Sequence, residues 1–224
     1  KLIEDGAQNF GSIYKRKNSL NIADISCTSF FPSKNLGSFG DGGAIFTNDK
    51  NINKSLVQLR NHGQIKYSLT SMKPGLNSRL GSLQATILVE KLKKIKSKII
   101  SQINLYKKYQ NFFSKNKISG FPEIRSNSAI KDSYSSFNII VKRREILIKY
   151  FKKYKIPYKI YYPKPLYNQY NLKKNIRFKN KKFLCKSIIS LPFNDISEKR
   201  FSKVIKSLKK IIQNNRKIFF EKKA

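Results

Sequence analysis

With 224 residues, 39% of them hydrophobic and including 16 Phe and 12 Tyr, the chain has enough apolar material for a sizeable core, which excludes a wholly disordered protein. Its formal net charge of +36 is uneven, because residues 1–50 hold six Lys or Arg against five Asp or Glu and the other +35 is mixed among Ile, Asn and Tyr further on. An AT-rich genome writes that Lys, Ile and Asn excess onto solvated faces, so nucleic acid is not the expected partner, and two cysteines with one histidine (His62) exclude a disulfide framework, a zinc site and a histidine triad.

The first residue is Lys1, and the apolar run behind it starts abruptly at a strand, which reads as an N-terminally truncated chain. Residues 2–5 form a short buried strand ending in Glu4 and Asp5, and residues 24–30 form a second, with Ile25, Cys27 and Ser29 alternating and Cys27 buried as a small apolar group. A third strand, 42–47, follows the glycines at 40, 42 and 43. Polar residues at the carboxyl ends of short strands fit an open α/β sheet that binds its ligand there.

Residues 50–61 read as a helix, with Ile52, Leu56 and Leu59 at helical spacing. Beyond Pro74-Gly75, the pair Asn77-Ser78 is a candidate cap for one long amphipathic helix over 78–114. The pattern then changes to a strand at 135–141, a helix at 144–154, strands at 158–162 and 188–191, and a final amphipathic helix through Phe201, Val204, Leu208 and Ile212. The tail from Asn214 is expected to be loosely held. No stretch reaches the roughly 20 apolar residues of a membrane span, so no membrane partner is expected, and the cysteine usage points to a reducing, cytoplasmic compartment.

Lys34 stands out among 48 Lys and Arg because of its neighbours. Taken alone it would be a surface lysine. It follows Ser29-Phe30-Phe31-Pro32-Ser33 at a strand end, and nearby glycines allow backbone to approach a ligand closely. A lysine that forms a Schiff base must lose its proton and reach a carbonyl, which needs such a setting. Pyridoxal phosphate also requires an acid for its ring nitrogen, and Asp5 is the candidate. Gln8 can face the same ring, and Ser29 can donate to the phosphate. No metal ligand set accompanies them.

Five blocks occur in order: Glu4-Asp5-Gly6-Ala7-Gln8, Ser29 to Lys34, Gly40-Asp41-Gly42-Gly43-Ala44-Ile45, Arg60-Asn61-His62-Gly63-Gln64 and Asn77-Ser78-Arg79-Leu80. With Gln84-Ala85 and Tyr162-Pro163-Lys164-Pro165-Leu166 they resemble the DegT-type nucleotide-sugar aminotransferases over most of the chain. Each block alone is weak; their order is specific. Within that family, residues 27–34 and 162–166 look closest to the enzymes that aminate carbon 3 of UDP-2-acetamido-2-deoxy-3-oxo-glucuronate, although Tyr161 stands where those enzymes often carry histidine.

The resemblance implies an α/β fold: the C-terminal part of a fold type I pyridoxal-phosphate large domain, with a mixed, mostly parallel sheet over residues 1–105, and a small α+β domain over 106–224. It implies Lys34 as the Schiff-base lysine, Asp5 on the ring nitrogen, Gln8 on the ring and Ser29 on the phosphate. It further implies a homodimer with shared active sites, in which Asn77 reaches the neighbouring cofactor phosphate and Arg79, with Tyr161 and Tyr162, contacts sugar. The implied substrates are L-glutamate and a nucleotide-linked keto-sugar, in surface-polysaccharide or lipopolysaccharide precursor synthesis. Relatives carry further N-terminal residues that bind the phosphate and stack on the ring. Two alternatives stand beside this reading: an inactive truncated aminotransferase, and a basic nucleic-acid-binding module.

Overall fold

The computed structural model describes residues 1–65, 70–124, 129–165 and 181–222; Leu166 lies outside the described residues. In chain order the elements are β1 (Ile3–Asp5), β2 (Ile13–Tyr14), β3 (Lys17–Asn18), β4 (Ile25–Ser29), β5 (Gly43–Phe46), α1 (Lys50–Arg60), α2 (Ser82–Lys93) and α3 (Ile95–Lys115). There follow β6 (Ile118–Ser119), β7 (Ile130–Lys131), β8 (Phe137–Ile140), α4 (Arg144–Lys153), α5 (Lys181–Ser187), β9 (Ile188–Leu191), α6 (Glu198–Asn214) and β10 (Phe220–Glu221). Two compact units divide the chain: residues 1–101 with 125–135, and residues 102–124 with 136–224.

In the first unit β1 and β4 run parallel, with Asp5 opposite Cys27, and β5 returns antiparallel with Gly43 opposite Ser29. The parallel pair requires a crossover, and here the connection carries the β2–β3 hairpin, whose other edge pairs with β7. Gly6 lets β1 leave the sheet against β4: a Cβ there would lie 2.1 Å from Leu20 Cδ2 and 3.0 Å from Cys27 O. In β4 the buried residues are Ser26 and Thr28, whereas Cys27 is only half-buried, which corrects its expected burial. The physical reason is that the buried hydroxyls are satisfied, Ser26 donating to Glu4 and Thr28 to Gly6 O, while Cys27 lines an open pocket of about 630 Å³.

α1 begins where the Asp49 carboxylate accepts the N–H groups of Asn51 and Ile52 at 2.8 and 3.1 Å. The single helix expected over 78–114 is instead α2 and α3, interrupted at Lys94, whose N–H bonds Lys91 O at 3.1 Å and tightens the turn. Leu88 and Ile95, on either side of the break, both pack on the cluster of Phe30 and Leu36. Asn77-Ser78 does not cap it either. The N-cap is Gly81, because Ser78 N–H is already bonded to Arg60 O at 3.0 Å and Asn77 bridges to Asn61.

The second unit has an aromatic core in which Tyr109, Phe113, Phe137, Phe151, Leu147 and Ile211 are fully buried. Tyr109 stacks on Phe137 with centroids 4.8 Å apart and donates its O–H to Pro192 O at 2.7 Å. Burial raises its pKa, so the phenol remains a neutral donor. β8 and β9 pair antiparallel, and α6 lays Val204, Leu208, Ile211 and Ile212 into the same core.

Two expectations fail in this unit. The strand expected over 158–162 reduces to one bridge between Lys159 and Ser190, since Pro157, Pro163 and Pro165 flank the segment and lack N–H groups for a ladder. The tail is not loose: Ile218 and Phe219 are 0% and 1% exposed, and β10 pairs with β6. Burial of two large apolar side chains there is worth a few kcal/mol, on the order of 1.5–3 each, enough to hold the segment.

Candidate active site

The carboxyl ends of β1 and β4 lie side by side, and the first four candidate residues follow from them. Asp5 closes β1 and is exposed, with Oδ1 accepting the Ala7 N–H at 3.1 Å. Its other carboxylate oxygen has no partner among the described residues. Gln8 lies three residues on, its Oε1 accepting the Ser135 hydroxyl at 3.1 Å. Ser29 closes β4 and accepts the Phe31 N–H at 3.2 Å, which leaves its hydroxyl hydrogen to donate elsewhere. Lys34 is half-buried, its backbone N–H turned onto Phe31 O at 2.9 Å, and its Nζ makes no hydrogen bond or ion pair among the described residues.

The segment that carries Lys34 is fixed at both sides. Phe30 N–H bonds Gly42 O at 2.7 Å, Ser38 N–H bonds Phe30 O at 2.8 Å, and the Asn35 side chain reaches Phe10 O at 3.3 Å. Phe30 and Leu36 are buried together against Leu88. Gly37 permits the turn, because a Cβ there would sit 2.5 Å from Pro32 O. From α2, Gln84 exchanges hydrogen bonds with both the N–H and the carbonyl of Phe39. A lysine on so restrained a loop gives up little backbone freedom when it binds.

Sequence reasoning missed the residues beneath this site. Glu4 accepts from Asn9 Nδ2 at 2.7 Å and from the buried Ser26 hydroxyl at 2.8 Å, tying the Asp5 turn to β4. The available signal was the adjacency of two carboxylates, which strand alternation sends to opposite faces. Asp24 tethers the start of β1: the Leu2 N–H at 2.8 Å and then Lys1 Nζ at 3.1 Å hold its carboxyl below the ordinary value of 3.8.

Asn77 and Arg79 form a second group around Asn61. Asn77 bridges to Asn61, and Arg79 Nη1 donates to Asn61 Oδ1 at 2.9 Å. Both are exposed, and among the described residues no hydrogen bond joins this group to Asp5, Gln8, Ser29 or Lys34. Tyr161 and Tyr162 belong to the second unit, 47% and 66% exposed, with ring centroids 5.7 Å apart. Among the described residues there is no cluster suited to a metal ion and no helix long and apolar enough to cross a membrane.

This donor set fits pyridoxal phosphate. It offers an unpaired lysine amine for an aldehyde, a free carboxylate oxygen for a protonated ring nitrogen, and a hydroxyl proton for a phosphate.

Comparison with known proteins gives the same direction. Residues 1–209 match the profile of the DegT/DnrJ/EryC1/StrS aminotransferase family. The chain is 39% identical over 168 residues to the UDP-2-acetamido-2-deoxy-3-oxo-D-glucuronate aminotransferase of Pseudomonas aeruginosa, covering 75% of this chain and 46% of that protein. It is 32% identical over 211 residues to the dTDP-3-amino-3,6-dideoxy-alpha-D-galactopyranose transaminase of Aneurinibacillus thermoaerophilus, covering 93% and 57%. The crystal structure of a DegT DnrJ EryC1 StrS aminotransferase from Brucella abortus superposes with a TM-score of 0.85 at 29% identity, over 93% of this chain and 56% of that one. The chain thus spans about half the length of the relatives it matches.

Proposed function

Because the chain belongs to the DegT/DnrJ/EryC1/StrS aminotransferase family, we propose that it is the lysine-bearing part of a pyridoxal-phosphate-dependent aminotransferase acting on a nucleotide-linked keto-sugar. The observation that carries this reading is Lys34, unpaired on a clamped loop, with Asp5 and Ser29 closing the adjacent parallel strands.

Bound there, pyridoxal phosphate supplies an aldehyde that condenses with amines and a ring that takes up the electron pair left when a proton leaves carbon. Lys34 Nζ holds the group between turnovers and, once released, removes the proton from the substrate carbon and returns it as general base and acid. Asp5 keeps a proton on the ring nitrogen through a charge-assisted hydrogen bond. Ser29 donates to a phosphate oxygen, and Gln8 contacts the ring.

The amino donor in this proposal is L-glutamate, and the acceptor is UDP-2-acetamido-2-deoxy-3-oxo-glucuronate or a sugar of the same type, in a cytoplasmic pathway of surface-polysaccharide synthesis. A homodimer with shared sites assigns Asn77 to the neighbouring cofactor phosphate and Arg79, Tyr161 and Tyr162 to the sugar. The division into a large domain over residues 1–105 and a small one over 106–224 belongs to the same proposal. Exposed apolar side chains of the first unit support an assembled state, among them Leu2 at 57%, Ile3 at 69%, Leu76 at 70% and Leu83 at 80%.

The test is an amino-transfer assay with L-glutamate and the keto-sugar. Formation of 2-oxoglutarate that requires both the sugar and pyridoxal phosphate is the expected result. Absence of transfer would favour the inactive-fragment reading.

A further inference from the structure

The Gln8 side chain is oriented by a residue far along the chain, because its Oε1 accepts the Ser135 hydroxyl at 3.1 Å. We propose that Ser135 is a positioning residue for the pyridoxal-phosphate site: it holds the Gln8 amide with its oxygen toward Ser135, so that Nε2 is the end presented to the ring hydroxyl oxygen of the cofactor. The inference rests on the cofactor reading above and deepens it by adding a residue that acts through Gln8.

Both ends of this bond are held before any ligand arrives. Gly6 N–H donates to Cys27 O at 2.7 Å, Asn9 N–H donates to Gly6 O at 3.2 Å, and Asn9 Nδ2 donates to Glu4 at 2.7 Å, so Gln8 sits in a turn fixed on either side. Ser135 follows β7, which pairs with β2. Just before it, the N–H of the buried Ser133 donates to Ser12 Oγ at 3.0 Å, and the two hydroxyls lie 2.9 Å apart. The turn after β1 and the segment after β7 are therefore tied at Ser12 as well as at Gln8, within one compact unit.

The chemistry of the ring gives this orientation its value. An amide carries an acceptor oxygen at one end and N–H donors at the other, and a half-turn exchanges them with almost no change of shape. With Oε1 engaged by Ser135, Nε2 makes no hydrogen bond among the described residues and keeps its hydrogens for a ligand. The pyridoxal ring carries a hydroxyl beside its aldehyde, and once ionised that oxygen only accepts hydrogen bonds. An N–H meets it as a charge-assisted donor, whereas an amide oxygen would meet it lone pair to lone pair. Removing the Ser135 hydroxyl leaves Oε1 without its donor and the amide free to turn, so a flexible side chain must then be ordered when the ligand binds.

Spectrophotometric titration of the full chain with pyridoxal phosphate tests this through a double-mutant cycle. Ser135→Ala is expected to weaken the cofactor by roughly 3- to 10-fold, the range of one lost hydrogen bond. It should also shift the balance of the cofactor's absorbance bands at fixed pH in the same direction as Gln8→Ala. Ser135→Thr, which keeps a hydroxyl, stays within about twofold of the parent. In the Gln8→Ala background Ser135→Ala changes affinity by less than about twofold, since a residue that acts through Gln8 then has nothing to position. Parent-like affinity and spectrum in Ser135→Ala, the same loss in both backgrounds, or a threonine variant as weak as the alanine one would overturn the proposal and leave the cofactor reading standing. A parent chain that takes up no pyridoxal phosphate at Lys34 would overturn both.

Discussion

Replacing Lys34 by alanine is expected to lower kcat for amino transfer by about 10³-fold or more, because the proposal makes the side chain both the attachment point and the group that moves the proton. The loop itself tolerates the change. Its order comes from Phe30, Leu36, Ser38 and Asn35, and Lys34 Nζ contributes no hydrogen bond to it, so thermal stability of the variant stays near that of the parent. Lys34→Arg sharpens the test: an arginine keeps the positive charge but is not deprotonated and cannot condense with an aldehyde. Steady-state kinetics of both variants should therefore give equal, near-complete loss. An active arginine variant would mean that charge alone is required and that Lys34 has been misassigned.

Asp5→Asn is expected to cost about 10²-fold in kcat, the size of effect produced by removing one preorganised electrostatic partner of the reacting centre. The substitution isolates charge from structure. An asparagine oxygen can still accept the Ala7 N–H now bonded to Asp5 Oδ1 at 3.1 Å, so the turn after β1 is retained, and only the negative charge that would hold a proton on the ring nitrogen is lost. Affinity for pyridoxal phosphate falls far less than kcat, since Lys34 and Ser29 still hold the group. Turnover within threefold of the parent enzyme would remove Asp5 from its assigned place.

Much of this architecture was legible in the residues. Short runs ending in polar groups marked β1 and β4, the glycines near Lys34 marked a close backbone approach, and Ile52, Leu56 and Leu59 at helical spacing marked α1. The burial expected of β1 fails, because it is the edge strand of its sheet and leaves Leu2 and Ile3 exposed. What escaped notice was set by tertiary bonding. The β2–β3 hairpin turns on Lys15 and Arg16 at φ 47 and 65, a left-handed pair normally signalled by Asn-Gly, so no turn residue announced it. The interruption at Lys94 lies inside an unbroken run of good helix formers, where propensity gives no warning. The burial of Ile218 and Phe219 required knowledge that β6 offers an edge to β10.

The same distinction holds in the site. The placement of Asp5 and Ser29 at the ends of adjacent strands was readable from the short runs they close, whereas the Glu4–Ser26 pair was not, since a structural carboxylate and hydroxyl look ordinary until their 2.8 Å bond is seen. Lysine and arginine are abundant in this chain, 48 in all, and their number alone singles out none of them.

That abundance makes one measurement the most direct test of the central claim. The protein loaded with pyridoxal phosphate is reduced with borohydride, digested, and its peptides are mapped by mass spectrometry. With 48 Lys and Arg in the chain, surface lysines would share any non-specific label. One reduced pyridoxyl adduct is expected, on Lys34, together with a visible cofactor absorbance band that Lys34→Ala lacks. An adduct spread over other lysines, or an undiminished band in Lys34→Ala, would contradict it.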